Sequence, residues 1–140
     1  MTVRYLVDAN VLSEQLKPRP DPKVVRRLAL HHGAIATATL VWHELLLGGL
    51  RSPSPPKRAA VLEFLGAIAA AGLEILPYDR AAAEWHSNER ARLMDRGRVP
   101  PFVDGQIAAI AAVNGLTLVT RNVRDFRRFA GLPVVNWFST

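Results

Sequence analysis

The stretch Val3-Arg4-Tyr5-Leu6-Val7-Asp8-Ala9-Asn10-Val11-Leu12 opens with a short apolar run and turns polar at Asp8. Residues 3–7 read as a buried strand, and residues 10–16 read as a helix that Pro18, Pro20 and Pro22 bring to a stop. A carboxylate thus stands where a strand ends and a helix begins.

Working outward, the same alternation recurs. Asp21 caps a predicted helix over 22–32, with Val24, Val25, Leu28 and Ala29 on its apolar side and Arg26 and Arg27 outside. A short strand at 34–38 leads to a helix over 40–50 with Thr39 as its cap. After the proline-rich loop 52–56 comes an apolar helix to about Ala71, with Gly72 as its stop. A strand at 73–76 precedes a long amphipathic helix opened by Asp79 and reaching about Asp95. Residues 96–101 form a basic loop. A helix over 103–114 ends at Gly115, a strand follows at 116–119, a short basic helix at 124–129, and Val134 and Val135 make the last strand. Strands alternating with helices predict an α/β fold: one domain over 1–140 in three layers, a mostly parallel sheet of about four or five strands flanked by helices. Ligands of such sheets sit at the carboxyl ends of the strands.

With 140 residues the chain is long enough to bury a core, and with no cysteine it relies on neither disulfides nor thiolate metal sites. The N-terminal apolar run meets an acid too early to be a signal-peptide core, and the apolar stretch 61–76, interrupted by Glu63 and Glu74, is too short to span a bilayer. A soluble, cytoplasmic protein with no membrane partner is expected. The net charge of +6 suits a polyanionic partner. Fifteen of the 18 basic residues are Arg, however, a bias that a GC-rich genome produces by itself, so charge supports the case without carrying it.

Four acids carry the chemistry. Asp8 lies at the end of the first strand and either faces the crevice or caps the next helix, a role Asn10 fills equally well. Glu44 shares a helical stripe with Leu40, Val41, Leu47 and Gly48. A carboxylate on an apolar face needs a cation, either a metal ion or an arginine. Asp104 opens its helix, where a capping role suffices by itself. Asn122 and Asp125 follow the strand at 116–119 and are turn formers as well as candidate ligands. Their convergence on one rim is the informative feature. Like charges so gathered repel unless a cation joins them, and an all-oxygen set suits Mg2+ or Mn2+.

Leu6-Val7-Asp8-Ala9-Asn10-Val11-Leu12-Ser13-Glu14, Thr39-Leu40-Val41-Trp42-His43-Glu44-Leu45 with Gly48, Asp104-Gly105-Gln106-Ile107-Ala108-Ala109, and Leu118-Val119-Thr120-Arg121-Asn122 occur in that order. Together they resemble the PIN-domain ribonucleases, within them the VapC-type and FitB-like toxins of toxin-antitoxin pairs, over nearly the whole chain. The resemblance implies that Asp8, Glu44 and Asp104 bind catalytic divalent metal. The fourth acidic position falls on Asn122, a departure for which Asp125 is the alternative, and Asn10 and Thr120 match polar residues that orient the acids. It further implies metal-assisted hydrolysis of RNA phosphodiester bonds, with one tightly held ion, a homodimer, and a VapB-like antitoxin whose tail occludes the pocket.

Arg96, Arg98, Arg121 and Arg124 flank the rim and are candidate RNA contacts, with solvated surface arginine as the alternative. His31, His32, His43 and His86 lack metal-ligand spacing, and Trp42 and Trp85 suit packing better than base stacking. Two other functions fit the sequence: a catalytically silent module acting with a DNA-binding antitoxin in autorepression, which the intact acids disfavour, and a DNA-directed nuclease of the same fold. A receiver-type phosphoacceptor needs a late lysine, and the lysines here, Lys17, Lys23 and Lys57, are all early.

Overall fold

The computed structural model describes residues 2–139. Five strands, β1 (Tyr5–Val7), β2 (Ile35–Ala38), β3 (Glu74–Leu76), β4 (Thr117–Val119) and β5 (Val134–Val135), form one sheet in the order β3-β2-β1-β4-β5, and every adjacent pair is parallel. Parallel neighbours cannot be joined by tight hairpins, so each connection is long and carries at least one helix. Helix α1 (Ala9–Leu12), a 3-10 turn (Ser13–Leu16) and α2 (Pro22–Leu30) link β1 to β2. Helices α3 (Thr39–Leu50) and α4 (Pro55–Ala70) link β2 to β3, α5 (Arg80–Asp95) and α6 (Phe102–Val113) link β3 to β4, and α7 (Val123–Phe126) precedes β5.

From β1 the chain steps through β2 to β3, then returns past β1 to β4 and β5. Right-handed crossovers therefore place α1 to α4 on one face and α5 to α7 on the other, giving the expected three layers. The strand order reverses between β1 and β4. A crevice opens at such a switch point because the helices on either side leave in opposite directions.

The core is built on this central pair. Leu6, Val7, Leu118 and Val119 are fully buried, and α6 is buried continuously from Ile107 to Ala111. A helix apolar on nearly every side belongs in the middle of a fold, which is how the pattern of α6 reads. The caps at Asp21 and Asp79 form as expected, their carboxylates accepting from the N–H groups of Lys23 and Ala82 at 2.9 Å each. Gly72 and Gly115 turn the chain out of α4 and α6 with φ of +93° and +68°, values that a side chain would strain.

Local departures from the sequence pattern have identifiable causes. Thr39 is not a cap: β2 runs straight into α3, and the extended residue before the helix is Ala38, whose methyl cannot accept a hydrogen bond. The helix expected over 10–16 tightens into a 3-10 turn after Leu12. There Glu14, 4 % exposed, accepts from the Asp21 N–H at 2.8 Å and pairs with Lys17 at 2.8 Å, drawing residues 17–21 back towards α2. Arg27 does not simply face solvent, since its guanidinium donates to the carbonyls of Trp137 and Ser139. The last helix is shorter than expected and ends at Phe126, where buried Phe126 and Phe129 anchor the descent to β5. No helix among the described residues is long and apolar enough to cross a membrane.

Candidate active site

Asp8 is the first residue beyond β1 and Thr120 the first beyond β4, so the central register brings them face to face. Val7 pairs with Val119, and the Asp8 N–H donates to the Val119 carbonyl at 2.9 Å. The Asp8 carboxylate is 7 % exposed; Oδ1 accepts from the Ala9 N–H at 2.8 Å and Oδ2 from the Thr120 hydroxyl at 2.8 Å. It therefore begins α1 and also stands in the crevice. Thr120 Oγ1 accepts in turn from the Asn122 N–H at 3.1 Å and from Asn10 Nδ2 at 3.5 Å, while Asn10 Oδ1 accepts from the Arg121 N–H at 3.1 Å. Asn10 and Thr120 thus tie Asp8 to the turn after β4. Burial pushes the Asp8 carboxyl above its ordinary value, outweighing the two hydrogen bonds that pull it down.

Glu44 lies in the second turn of α3, a helix that packs against both α1 and α6. The sequence placed it on a buried apolar face, and this is corrected. Glu44 is exposed, as are Leu47 and Gly48 on the same stripe, and α3 turns Val41 and Gly49 into the protein instead. The stripe is split: Val41 is fully buried and Leu40 packs against the core, while Glu44, Leu47 and Gly48 are exposed. Partial desolvation, followed by the charge of Asp8, still raises the Glu44 carboxyl.

Asp104 sits in the first turn of α6 and is partly buried. Its carboxyl is raised first by desolvation and then by the charges of Asp8, Asp125 and Glu44, so the fields of acids from three other segments meet at this residue. Asp125 is exposed in the first turn of α7, and Asn122 is the exposed residue preceding that helix, which it does not cap with its side chain. Among the described residues no group of three His, Asp or Glu side chains stands close enough together to hold a metal ion. Arg96 and Arg98 lie exposed in the loop before α6, and Arg121 and Arg124 lie exposed around the start of α7. A cavity of about 450 Å3 between α2 and the end of α4 is lined by residues such as Val25, Leu28, Ile68 and Leu73 and includes none of the site acids.

One part of the site was not anticipated. His86 on α5 is 2 % exposed, its Nδ1 lies 3.0 Å from the Tyr78 hydroxyl, and its ring packs 4.8 Å from that of Phe102. It fills the space beside Gly105, next to Asp104, so that a Cβ on Gly105 would overlap the imidazole. The signal was the glycine, since an isolated Gly inside a helix often marks a close approach.

The raised carboxyl of Asp104 has a consequence for stability. Where folding raises an acid's pKa, the stability it contributes is present below the unfolded value and is lost as pH rises through the folded one. Asp104→Asn, permanently neutral, is therefore expected to melt above wild type at neutral pH in EDTA. The gap should close as pH falls below the ordinary value of 3.8. Thermal unfolding across that range checks it, and a variant melting below wild type at neutral pH contradicts the repulsion.

A family model described as PIN domain matches residues 5–132. The chain is 34% identical over 137 residues to the tRNA(fMet)-specific endonuclease VapC of Shigella flexneri, covering 96% of this chain and 98% of the relative. Its fold matches a FitAcB structure from Neisseria gonorrhoeae with a TM-score of 0.88 at 29% identity, covering 97% of this chain and 99% of the other. DNA-bound VapBC from Salmonella typhimurium matches with a TM-score of 0.80 at 31% identity, again covering 97% and 99%. With the crevice, its acids and these likenesses in agreement, the chain belongs to the PIN-domain family and, within it, to the VapC group.

Proposed function

We propose that the chain is a metal-dependent endoribonuclease that hydrolyses RNA phosphodiester bonds, the toxin of a toxin-antitoxin pair. The observation that carries the reading is the Asp8 carboxylate, buried where β1 and β4 part and held by the Thr120 hydroxyl, with Asp104, Glu44 and Asp125 near enough for their charges to act on one another. Acids raised by burial and by one another favour a cation, and an all-oxygen set fits Mg2+ or Mn2+. Asp8, Glu44 and Asp104 would hold it. Bound there, the ion would polarise the phosphate, activate a water and stabilise the leaving oxygen. The chain's own part is to aim the acids through Thr120 and Asn10 and to draw the phosphates to the rim with Arg96, Arg98, Arg121 and Arg124. At the fourth position Asn122 offers an amide oxygen, whereas Asp125 brings a full charge already sensed by Asp104. One charge fewer at that position weakens a second metal site more than the first, which favours a single ion.

A VapB-like antitoxin is the proposed partner, as the VapBC and FitAB complexes among the relatives suggest. A homodimer is proposed with it, and the exposed Met94, Val99, Phe102 and Val103 around the α5–α6 turn are apolar surface suited to such a contact. DNA-bound complexes among the structural relatives, those from Salmonella typhimurium and Rickettsia felis and a FitAB complex, favour a second role beside catalysis, repression of the pair's own promoter with the antitoxin.

The test is cleavage of a pool of single-stranded and structured RNAs, beside matched DNAs, with Mg2+ or Mn2+ and with EDTA. Cutting of RNA that requires metal is expected. Cutting of DNA alone replaces the substrate, and no cutting under any metal leaves only the role in repression.

A further inference from the structure

The segment after β5 contributes none of the site acids, yet it is tied down firmly. Trp137 is 5 % exposed and packs against Tyr5 and His31, with ring centroids at 5.2 and 5.3 Å, the latter pair stacked. The Arg27 guanidinium donates to the carbonyls of Trp137 and Ser139 at 2.9 Å each, and Asn136 Oδ1 accepts from the Phe138 N–H at 2.8 Å. These contacts fix the backbone on both sides of Phe138, whose ring carries the guanidinium of Arg121 at 4.4 Å.

Arg121 is fixed from its other end as well. It follows Thr120, the residue that donates to Asp8, and its own N–H is held by Asn10. None of the four ion pairs among the described residues uses it. A guanidinium lying on a ring keeps its N–H edges available, with part of its rotamer freedom already removed, which is the state suited to bidentate grip of a phosphate.

We propose that Arg121 and Phe138 act as one unit that grips an RNA backbone phosphate beside the carboxylates, with Phe138 as the positioning residue and the tail from Asn136 to Ser139 as its mount. The inference rests on the ribonuclease reading above. Phosphate is the contact because the free edges of the guanidinium are paired donors carrying a full positive charge, which match the acceptor oxygens and the negative charge of the backbone.

The experiment is binding without turnover. A labelled, short, mixed-sequence single-stranded RNA is titrated in EDTA over a series of salt concentrations, with thermal unfolding to show that each variant is folded. Arg121→Ala is expected to weaken binding about tenfold and to make the slope of log affinity against log salt shallower by about 0.7, the share of one phosphate on a single strand. Phe138→Leu keeps the charge, so the slope should stay at the wild-type value while affinity falls a few-fold, and Phe138→Tyr should restore it. If wild type binds and Arg121→Ala binds equally well with the same slope, the inference fails while the nuclease reading stands. Equal affinity of Phe138→Leu and wild type overturns the positioning role. A wild type that neither binds nor cuts RNA removes the nuclease reading, and the inference with it.

Discussion

Asp8→Asn is expected to lower RNA cleavage at least about a thousandfold, roughly 4 kcal/mol of transition-state stabilisation, in a protein that still folds. The isosteric amide keeps the crevice filled. Its oxygen can accept from the Ala9 N–H, and the Thr120 hydroxyl can rotate to accept from its NH2 by giving up the long 3.5 Å contact from Asn10, so both contacts of the wild-type carboxylate have a replacement. What is lost is the charge, at the most buried of the site acids. Thr120→Val leaves that charge and removes only the hydroxyl aimed at Oδ2, together with the acceptor for the Asn122 N–H. A loss of about 10–100-fold is expected there, the usual cost of freeing a ligand from the group that orients it. Initial rates under saturating Mg2+ measure both. Asp8→Asn within tenfold of wild type removes Asp8 from the chemistry, and equal losses in the two variants remove the distinction between holding the ion and aiming the ligand.

The second large effect is structural at its origin. In Gly105→Ala the new methyl would lie 2.6 Å from His86 Cδ2 and 2.9 Å from Cε1, closer still to Nε2, and the imidazole has nowhere to go. It is buried, held by Tyr78 and flanked by Phe102. The first turn of α6 must therefore move away from α5. Overpacking of this kind costs about 1–3 kcal/mol, which is several degrees in Tm for a domain of this size. Because Asp104 occupies the same turn, displacement by about 1 Å should also lower cleavage on the order of a hundredfold. The distinguishing measurement is a double-mutant cycle with His86→Ala, which opens the space the methyl needs. The double variant should melt higher than the sum of the two single losses predicts. Additive losses place the origin of the effect elsewhere than in the His86 contact.

The sequence made the sheet and the position of Asp8 plain for one physical reason: in a parallel α/β fold, buried strands are short apolar runs, and the residue after such a run has one place to be. Asp8 and Thr120 were legible on that basis. Helical periodicity is a poorer guide at a crevice. The stripe of Glu44 with Leu40, Val41, Leu47 and Gly48 looked like a core face, but of these Val41 alone is fully buried, and Leu47 beside Glu44 is 46 % exposed. The absence of a cap at Thr39 was hidden too, because whether a residue precedes a helix or begins it depends on how abruptly the strand ends. Long-range side-chain ties were beyond periodicity altogether. Nothing near Arg27 announces a bond to Ser139, and nothing near His86 announces Gly105 except the glycine itself.

The pairing of β1 with β4 also sets a schedule for the nascent chain. Asp8 and Thr120 are 112 positions apart, and their strands are direct neighbours. While the ribosome is still delivering the middle of the chain, Asp8 has neither the strand beside it nor the hydroxyl that aims it. Contacts of such long sequence separation form late, after the local helices. A growing polypeptide therefore carries its acids unassembled through most of its synthesis, and cutting ability should arise abruptly once β4 takes its place, which separates the making of the enzyme from the onset of its attack on RNA.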